Sequence, residues 1–507
     1  MLRGIHKGAR LVTVDPRRTS SAQWADLWLG IDVGSDVSLA NGVAYVILEE
    51  GLENRFFIEK ATTGFDEYAR KVAEYPPERV EHETGVPAAA IRELARAYAT
   101  AGRAQLCWTL GITEHHNAVD NVFALINLAL LTGHVGRYGS GLCPLRGQNN
   151  VQGGGDMGAI PNRLPGGQDV VVGAHRSKFE TAWGVPAGRI PAKPGWHLTA
   201  MFEAMERGEL THLYVIGENP AQSEADATRS NRLIQGLQML VVQDIFMTKT
   251  AELADVVFPA SAAWAETDGT VTSSERRVQR VRKALDPPGE ARDDIWIISE
   301  LASRLGEDWG HPEPEQVWNE CRALSPWHGG MSYPRLEQLG GIAWPCPDEG
   351  HPGERFLHGR LWAENEADRG PRAPFHAVDH DPPVDELTAE FPFRLTTGRR
   401  LDSFNTGVQT GGYSSPLRRG ETLDLSPEDA DRLGVREGEA VAITSRRGRV
   451  EAPVRVDATL RAGLAFMTLH FGDEVATNLL TIDATDPKSG TAEFKATAIR
   501  IDKLAAT

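Results

Sequence analysis

Residues 11–29, LVTVDPRRTSSAQWADLWL, come back at residues 240–258 as LVVQDIFMTKTAELADVVF. Seven positions are identical at a constant offset (240 − 11 = 229): Leu11, Val12, Asp15, Thr19, Ala22, Ala25 and Asp26 match Leu240, Val241, Asp244, Thr248, Ala251, Ala254 and Asp255. Each copy is an apolar, β-branched run that ends in Asp, the pattern of a buried parallel strand with a carboxylate at its carboxyl end. Open α/β sheets bind ligands at that end. A carboxylate there can accept hydrogen bonds from a ribose hydroxyl pair, or from the N1–H and exocyclic amine of a guanine. Two copies imply two nucleotides, or one cofactor with two nucleotide arms.

Upstream of the second copy the chain reads as a strand over 213–216, then the turn Gly217, Glu218, Asn219, Pro220, then a helix-compatible stretch. Such a tight turn lets a pyrophosphate approach the backbone. The equivalent of Gly217 in the first copy would fall before Met1 (217 − 229 = −12). The expectation is a chain that begins inside its first lobe, lacking a strand and a phosphate turn. The alternatives are a first lobe that never had that unit, or chance likeness between two amphipathic segments.

A chain of 507 residues has room for about three or four domains. The boundaries expected are 1–148 for the first Rossmann-like lobe, truncated at its start, 149–260 for the second lobe, 261–388 for a bridging α+β segment and linker arm, and 389–507 for a β-barrel. The net charge of −17 argues against nucleic acid and against anionic membrane surfaces. Cys107, Cys143, Cys321 and Cys346 lie far apart with no CxxC, so they encode neither a disulfide framework nor an iron-sulfur site and are expected to be buried thiols. The apolar run 122–131 is interrupted by Asn127 and is too short to span a bilayer. The expected location is cytoplasmic.

Along the chain, 84–102 has the pattern of one helix with Pro87 near its first turn and Ile91, Leu94, Ala95 and Tyr98 on one face. Asp293 or Asp294 can cap a helix that carries Ile295, Ile298, Leu301, Ala302 and Leu305 and stops at Gly306. Between 138 and 167 Gly, Asn, Gln and Pro dominate and no periodicity survives, which reads as a long functional loop. The stretch 345–392 reads as a connecting arm, and the last 115 residues as short alternating strands of a barrel. Neighbouring His115 and His116 lack a third ligand and read as surface histidines rather than a metal site.

Arg146 stands in the glycine-rich loop beside Gly147 and the amides Gln148, Asn149, Asn150 and Gln152. Its guanidinium offers parallel N–H donors that match a carboxylate or similar oxyanion, and the glycines allow close backbone approach to a large ligand. An Arg among amides can equally be solvated or staple its own loop.

The stretch LTGHVGRYGSGLCPLRGQNNVQGGGDMGAIPN (131–162) resembles the corresponding loop of molybdopterin-dependent formate dehydrogenase catalytic subunits. Residues 241–279, TTGRR at 396–400, SPEDADRLGVREGEAVAITSRRGRV at 426–450 and HFGDEVATNLLT at 470–481 do so too. The likeness runs from His6 to Lys503, and its most specific element is PLRGQNNVQG. It implies an α/β chain of two pseudo-symmetric Rossmann-like lobes, the first incomplete, with a carboxyl-terminal β-barrel of the molybdopterin oxidoreductase type. It also implies a bis(molybdopterin guanine dinucleotide) cofactor with molybdenum or tungsten.

By that resemblance Asp15 and Asp244 would hold two guanines, Gly217, Glu218 and Asn219 would line one phosphate and ribose turn, and Thr248 and Lys249 would sit near the same arm. Gln148, Asn149 and Asn150 would face the pterin, and Arg146 would clamp formate during its oxidation to carbon dioxide. Gly398, Arg399, His470, Asn478 and Lys495 match positions that touch pterin or phosphate groups. The plain readings beside these are solvated charges for Arg399 and Lys495 and a core histidine for His470.

Full-length members of that family also carry cysteines for an iron-sulfur cluster and a Cys or selenocysteine, followed by His, that ligates the metal. This sequence contains neither. The expectation is the carboxyl-terminal portion of a catalytic subunit, inactive alone, that works with electron-transfer subunits or an amino-terminal companion segment. The alternatives are a molybdopterin oxidoreductase of another small oxyanion, and a non-catalytic cofactor-binding remnant. An NAD-dependent dehydrogenase is disfavoured because no GxGxxG follows a strand in either copy.

Overall fold

The computed structural model describes residues 2–400 and 420–504. The chain forms two compact units, each assembled from discontinuous stretches: Met1–Leu142 with Pro220–Arg232 and His358–Thr507, and Cys143–Asn219 with Leu233–Leu357.

The repeat is reproduced in three dimensions, one copy in each unit. In the first, strands Val12–Val14 and Leu27–Leu29 pair in parallel, with Val12 opposite Leu27 and Val14 opposite Leu29. In the second, Met239–Asp244 and Val256–Pro259 pair in parallel with Val241 opposite Val256, which is the same register at the same offset (12 + 229 = 241 and 27 + 229 = 256). A short helical turn connects each pair, Ser20–Gln23 in one and Lys249–Glu252 in the other. Among the described residues the first sheet has two strands, and the second has three because His212–Ile216 adds in parallel to Met239–Asp244.

The core of the first unit is built around helix Asp36–Glu49, whose Val37, Leu39, Ala40, Val43, Ala44, Val46 and Ile47 are all buried. A helix apolar all round must be covered on every side, and Arg55–Ala61, Pro77–Thr84, Ala88–Ala99 and Ala118–Thr132 join it in one apolar cluster. The helix expected over 84–102 is Ala88–Ala99, preceded by a separate helix, Pro77–Thr84. Pro77–Thr84 ends at Gly85, whose φ is +68°, and Pro87 is the N-cap residue of Ala88–Ala99, next to its first turn as expected. Left-handed Gly85 and the extended backbone of Pro87 break the run. Asn127 sits in the middle of Ala118–Thr132 fully buried; its Nδ2 donates to the His376 carbonyl at 2.7 Å and its Oδ1 accepts the His376 N–H at 3.1 Å. The connecting arm thus supplies a polar partner inside an apolar core. No helix among the described residues is long and apolar enough to cross a membrane.

Also in the first unit, six strands among the described residues close into a barrel in the order Phe393–Gly398, Leu464–Thr468, Leu423–Leu425, Arg449–Val456, Ala440–Thr444, Thr497–Lys503. Arg449–Val456 alternates outward Arg449 and Glu451 with inward Val450, Ala452 and Val454, as its sequence pattern requires.

In the second unit the glycine-rich stretch is more ordered than its composition suggests. It contains helix Val151–Asp156 in spite of three consecutive glycines. Helix Asp294–Arg304 is capped by Asp293, which accepts the Trp296 N–H at 3.0 Å, and it buries Ile297, Ser299 and Ala302 while Ile298 and Leu305 are exposed. The cysteines also depart from expectation: Cys346 is buried, Cys143 and Cys321 are partly exposed and Cys107 is exposed.

Candidate functional site

Asp15 and Asp244 stand at the carboxyl ends of equivalent strands and are held identically. Asp15 Oδ1 accepts the Arg17 N–H at 2.8 Å, and Asp244 Oδ1 accepts the Phe246 N–H at 3.0 Å. A second conserved geometry closes each unit: Leu11 N–H donates to Asp26 Oδ2 and Leu240 N–H to Asp255 Oδ2, both at 2.7 Å. The two Asp types of the repeat therefore divide their work. Asp26 and Asp255 tie strand to strand, whereas among the described residues the second oxygen of Asp15 makes no hydrogen bond and Asp244 accepts the Phe246 and Ile245 amides.

Burial raises the carboxyl pKa of both strand-tip acids; for Asp15 the Arg17 amide, the Arg17 charge and Lys495 oppose it, and for Asp244 the Phe246 and Ile245 amides do. In the second unit Glu218 joins Asp244, and its pKa is raised by desolvation and then by the Asp244 charge. Among the described residues no cation pairs with either acid. Two acceptors that crowd each other need N–H or O–H donors between them, which a ribose diol or a guanine edge supplies. Gly217, at φ +63°, bends the chain from strand His212–Ile216 into that turn.

The other second-copy residues have mixed duties. Asn219 Oδ1 accepts the Thr250 N–H at 3.1 Å and its hydroxyl at 2.9 Å, so it fastens the turn to the helix. Thr248 caps that helix by accepting the Ala251 N–H at 3.1 Å. Lys249 is exposed and paired with Glu252 at 3.1 Å.

In the Arg146 loop the backbone is pinned and the side chain is not. The Arg146 N–H donates to Ser274 Oγ at 3.2 Å, and that hydroxyl donates to the Arg146 carbonyl at 3.3 Å. Among the described residues the exposed guanidinium has no ion-pair partner. Gln148 and Asn149 are exposed. Asn150 is left-handed at φ +63°, and its Oδ1 accepts the Thr272 N–H at 2.9 Å. A Cβ on Gly153 would lie 2.0 Å from that oxygen, so glycine is required there. Asp156 takes Gln152 Nε2 at 2.8 Å and the Trp344 indole N–H at 2.7 Å. Stapling and presentation coexist: Asn150, Gln152 and Asp156 fix the loop that displays Arg146.

In the first unit Gly398 gives room, because a Cβ there would lie 2.9 Å from the Phe466 ring. Arg399 is exposed. His470 is buried and its Nε2 accepts the Arg400 N–H at 3.2 Å. Asn478 Nδ2 donates to the Gln222 and Ser223 carbonyls at 2.9 and 3.1 Å. Lys495 is not a solvated charge: it is buried, 2.7 Å from Glu114, and donates to the Thr397 carbonyl at 3.2 Å.

His115 and His116 are buried as well, which corrects the surface reading. Glu493 gathers them: Oε2 lies 3.1 Å from His115 Nδ1 and accepts the His116 N–H at 3.1 Å, while Oε1 accepts the Lys495 N–H at 2.8 Å. Glu493, Glu114 and Arg17 all escaped the sequence reading because no local pattern marks a residue whose partners are hundreds of positions away. Among the described residues no group of three His, Cys, Asp or Glu is arranged to hold a metal ion.

Each unit by itself thus carries a strand-tip carboxylate, beside the left-handed Gly217 turn in the second and within the field of the buried Lys495 in the first, and such acceptors suit the donors of a nucleotide arm. Two family models match the chain, "Molybdopterin oxidoreductase" over residues 2–304 and "Molydopterin dinucleotide binding domain" over residues 393–498. The F420-dependent formate dehydrogenase 2 subunit alpha of Methanococcus maripaludis is 40% identical over 98% of this chain and 72% of its own length. The assimilatory nitrate reductase catalytic subunit of Bacillus subtilis is 33% identical over 97% of this chain and 70% of its own. Among solved structures, acetylene hydratase from Pelobacter acetylenicus superposes with a TM-score of 0.75 at 21% identity, covering 99% of this chain and 75% of that one, a likeness of fold.

Proposed function

The chain belongs to the molybdopterin oxidoreductase family, and on that premise we propose that it is the cofactor-holding and substrate-binding part of a formate dehydrogenase catalytic subunit. The observation that carries the reading is the unpaired Arg146 guanidinium on a stapled loop, in a chain 40% identical to a formate dehydrogenase alpha subunit. Formate is a planar carboxylate, and a guanidinium binds it through two parallel N–H···O bonds. Arg146 holds the substrate in one orientation and neutralises its charge, which lowers the cost of placing its C–H bond against an acceptor. The products are carbon dioxide, one proton and two electrons.

The cofactor on this reading is bis(molybdopterin guanine dinucleotide) with molybdenum or tungsten, and it takes up the two electrons. Asp15 would receive one guanine, Asp244 with Glu218 the other, Gly217 the adjoining phosphate, and Gln148 and Asn149 the pterin side. Gly398, Arg399, His470, Asn478 and Lys495 would support the pterin and phosphate groups from the barrel, Thr248, Lys249 and Asn219 would hold the second turn, and Asn150 would fix the loop. Among the described residues no three His, Cys, Asp or Glu side chains gather as a metal-binding group. On this reading a companion polypeptide supplies a thiolate ligand and an iron-sulfur exit for electrons, with electron-transfer subunits as partners and the cytoplasm as the working place.

The test uses the chain purified from a cofactor-making host and assayed with formate and a dye, alone and with companion polypeptide. Arg146→Lys should lower formate turnover by about a hundredfold or more while leaving cofactor content intact. Unchanged turnover would overturn the role of Arg146, and absence of formate turnover by the native chain with its companion polypeptide would point to the second reading, an oxidoreductase of another small oxyanion, which the likeness to a nitrate reductase favours. Robust turnover by the chain alone would contradict the need for companion polypeptide.

A further inference from the structure

Positions 17 and 246 are equivalent in the repeat (17 + 229 = 246) and do the same backbone work, each donating its N–H to the strand-tip Asp. Their side chains differ in kind. Phe246 is exposed. Arg17 lies with its guanidinium carbon 3.5 Å from the centroid of the Phe466 ring, a cation–π contact that fixes its plane. Gly398 permits this arrangement, since a Cβ there would sit 2.9 Å from Phe466 and 3.6 Å from Arg17 Nη2.

The guanidinium is half-buried, yet among the described residues it makes no hydrogen bond and no ion pair. Its acidic neighbours in the barrel are engaged elsewhere. Asp424 takes Arg400 at 3.0 Å and Arg455, and Asp457 takes Arg455 at 2.9 Å and the Thr459 N–H at 2.9 Å. Desolvation of this kind disfavours the charged form, with Asp15 the strongest charge that opposes it. A positioned guanidinium with open donors, next to a carboxylate with an open acceptor, is half of a recognition edge.

We propose that Arg17 is a specificity-determining residue for guanine at the first strand tip, donating to purine O6 and N7 while Asp15 accepts from N1–H and the exocyclic amine. Bidentate donation from Arg to those two atoms is the commonest specific protein contact to guanine. Adenine would place an amine donor against a guanidinium donor and offer Asp15 no N1–H. The second tip has carboxylates but no donor at Phe246, so the two pockets read their bases unequally. This inference rests on the reading that the strand tips hold nucleotides.

The experiment is calorimetric titration of the purified chain with GDP, IDP and ADP, with the melting temperature recorded for each variant. The native chain should prefer GDP to ADP by about tenfold or more at one site, with IDP weaker than GDP because it lacks the amine that Asp15 accepts. Arg17→Met keeps a long apolar stem on Phe466 and should bring GDP to within about threefold of ADP while preserving the GDP-to-IDP ratio. Arg17→Lys should recover part of the preference. Phe246→Arg, at an exposed position, should create a GDP preference at the second site even if Arg17→Met does not fold. An unchanged GDP-to-ADP ratio in Arg17→Met, or no gain in Phe246→Arg, overturns the proposal and leaves the nucleotide reading standing. Absence of binding by all three nucleotides to the native chain overturns both.

Discussion

Leu11 donates its amide proton to Asp26 Oδ2 at 2.7 Å, so one carboxylate closes a strand, turn, strand unit on itself. The same bond at the same length joins Leu240 and Asp255 in the other unit. The copies differ in exposure, and that difference decides the outcome of deletion. Removing the acid leaves the Leu N–H without its partner, which costs more where water cannot replace it. Asp255→Ala should destabilise its unit by about 1–3 kcal/mol and Asp26→Ala by about 1 kcal/mol or less, read as shifts in the urea midpoint. Equal losses would mean that the bond does not carry the difference.

Gly153 separates presentation of Arg146 from its chemistry. A methyl group there would strike Asn150 Oδ1 and release the Thr272 N–H. Gly153→Ala should lower cofactor content and formate turnover together, with a stability loss of about 1–3 kcal/mol. Arg146→Lys should lower turnover alone. Metal and guanine analysis of both variants beside their assay distinguishes the two patterns.

The His115, Glu493, His116 knot makes stability depend on pH with a defined sign. Burial opposes a charge on His115, but Glu493 outweighs it and the histidine pKa is raised; for His116 the hydrogen bond to Glu493 raises it against the opposing burial. Burial alone would raise Glu493, yet the His115 charge drives its carboxyl pKa well below the usual range. A raised histidine stabilises fully below its unfolded pKa of about 6.5 and loses that contribution as pH climbs through the folded value. A depressed carboxylate stabilises above about 4.3 and loses its contribution as pH falls. The melting temperature should therefore hold up near neutrality and decline on the alkaline side of the histidine titration. Glu493→Gln should flatten that alkaline decline in a thermal scan from pH 6 to 9, an interval chosen to span about the histidine range; a decline that persists unchanged in the variant contradicts this assignment.

What could be read in the sequence and what could not follow from the range of the interactions. The repeat was legible because each copy writes its parallel strand as an apolar, β-branched run with Asp at fixed spacing, and Val12 and Val241 accordingly pair at equivalent positions. The barrel was legible because Val450, Ala452 and Val454 alternate. His115 was misplaced on the surface because the acid that satisfies it lies 378 residues away. Asn127 looked like an interruption of an apolar helix because its partner, His376, is 249 residues distant. At the site, the strand-tip acids were visible from the repeat, whereas the open guanidinium of Arg17 depends on Phe466 and Gly398, which no local pattern connects to it.

The central claim is that twin strand tips grip the two nucleotide arms of one pterin cofactor. Its most direct test is acid hydrolysis of the chain purified from a cofactor-making host, with released guanosine monophosphate and bound metal both quantified. Two guanosine monophosphates per molybdenum or tungsten atom is the expected result, falling sharply in the double variant Asp15→Ala, Asp244→Ala. Metal without guanine nucleotide, or guanine content untouched by loss of both acids, would contradict it.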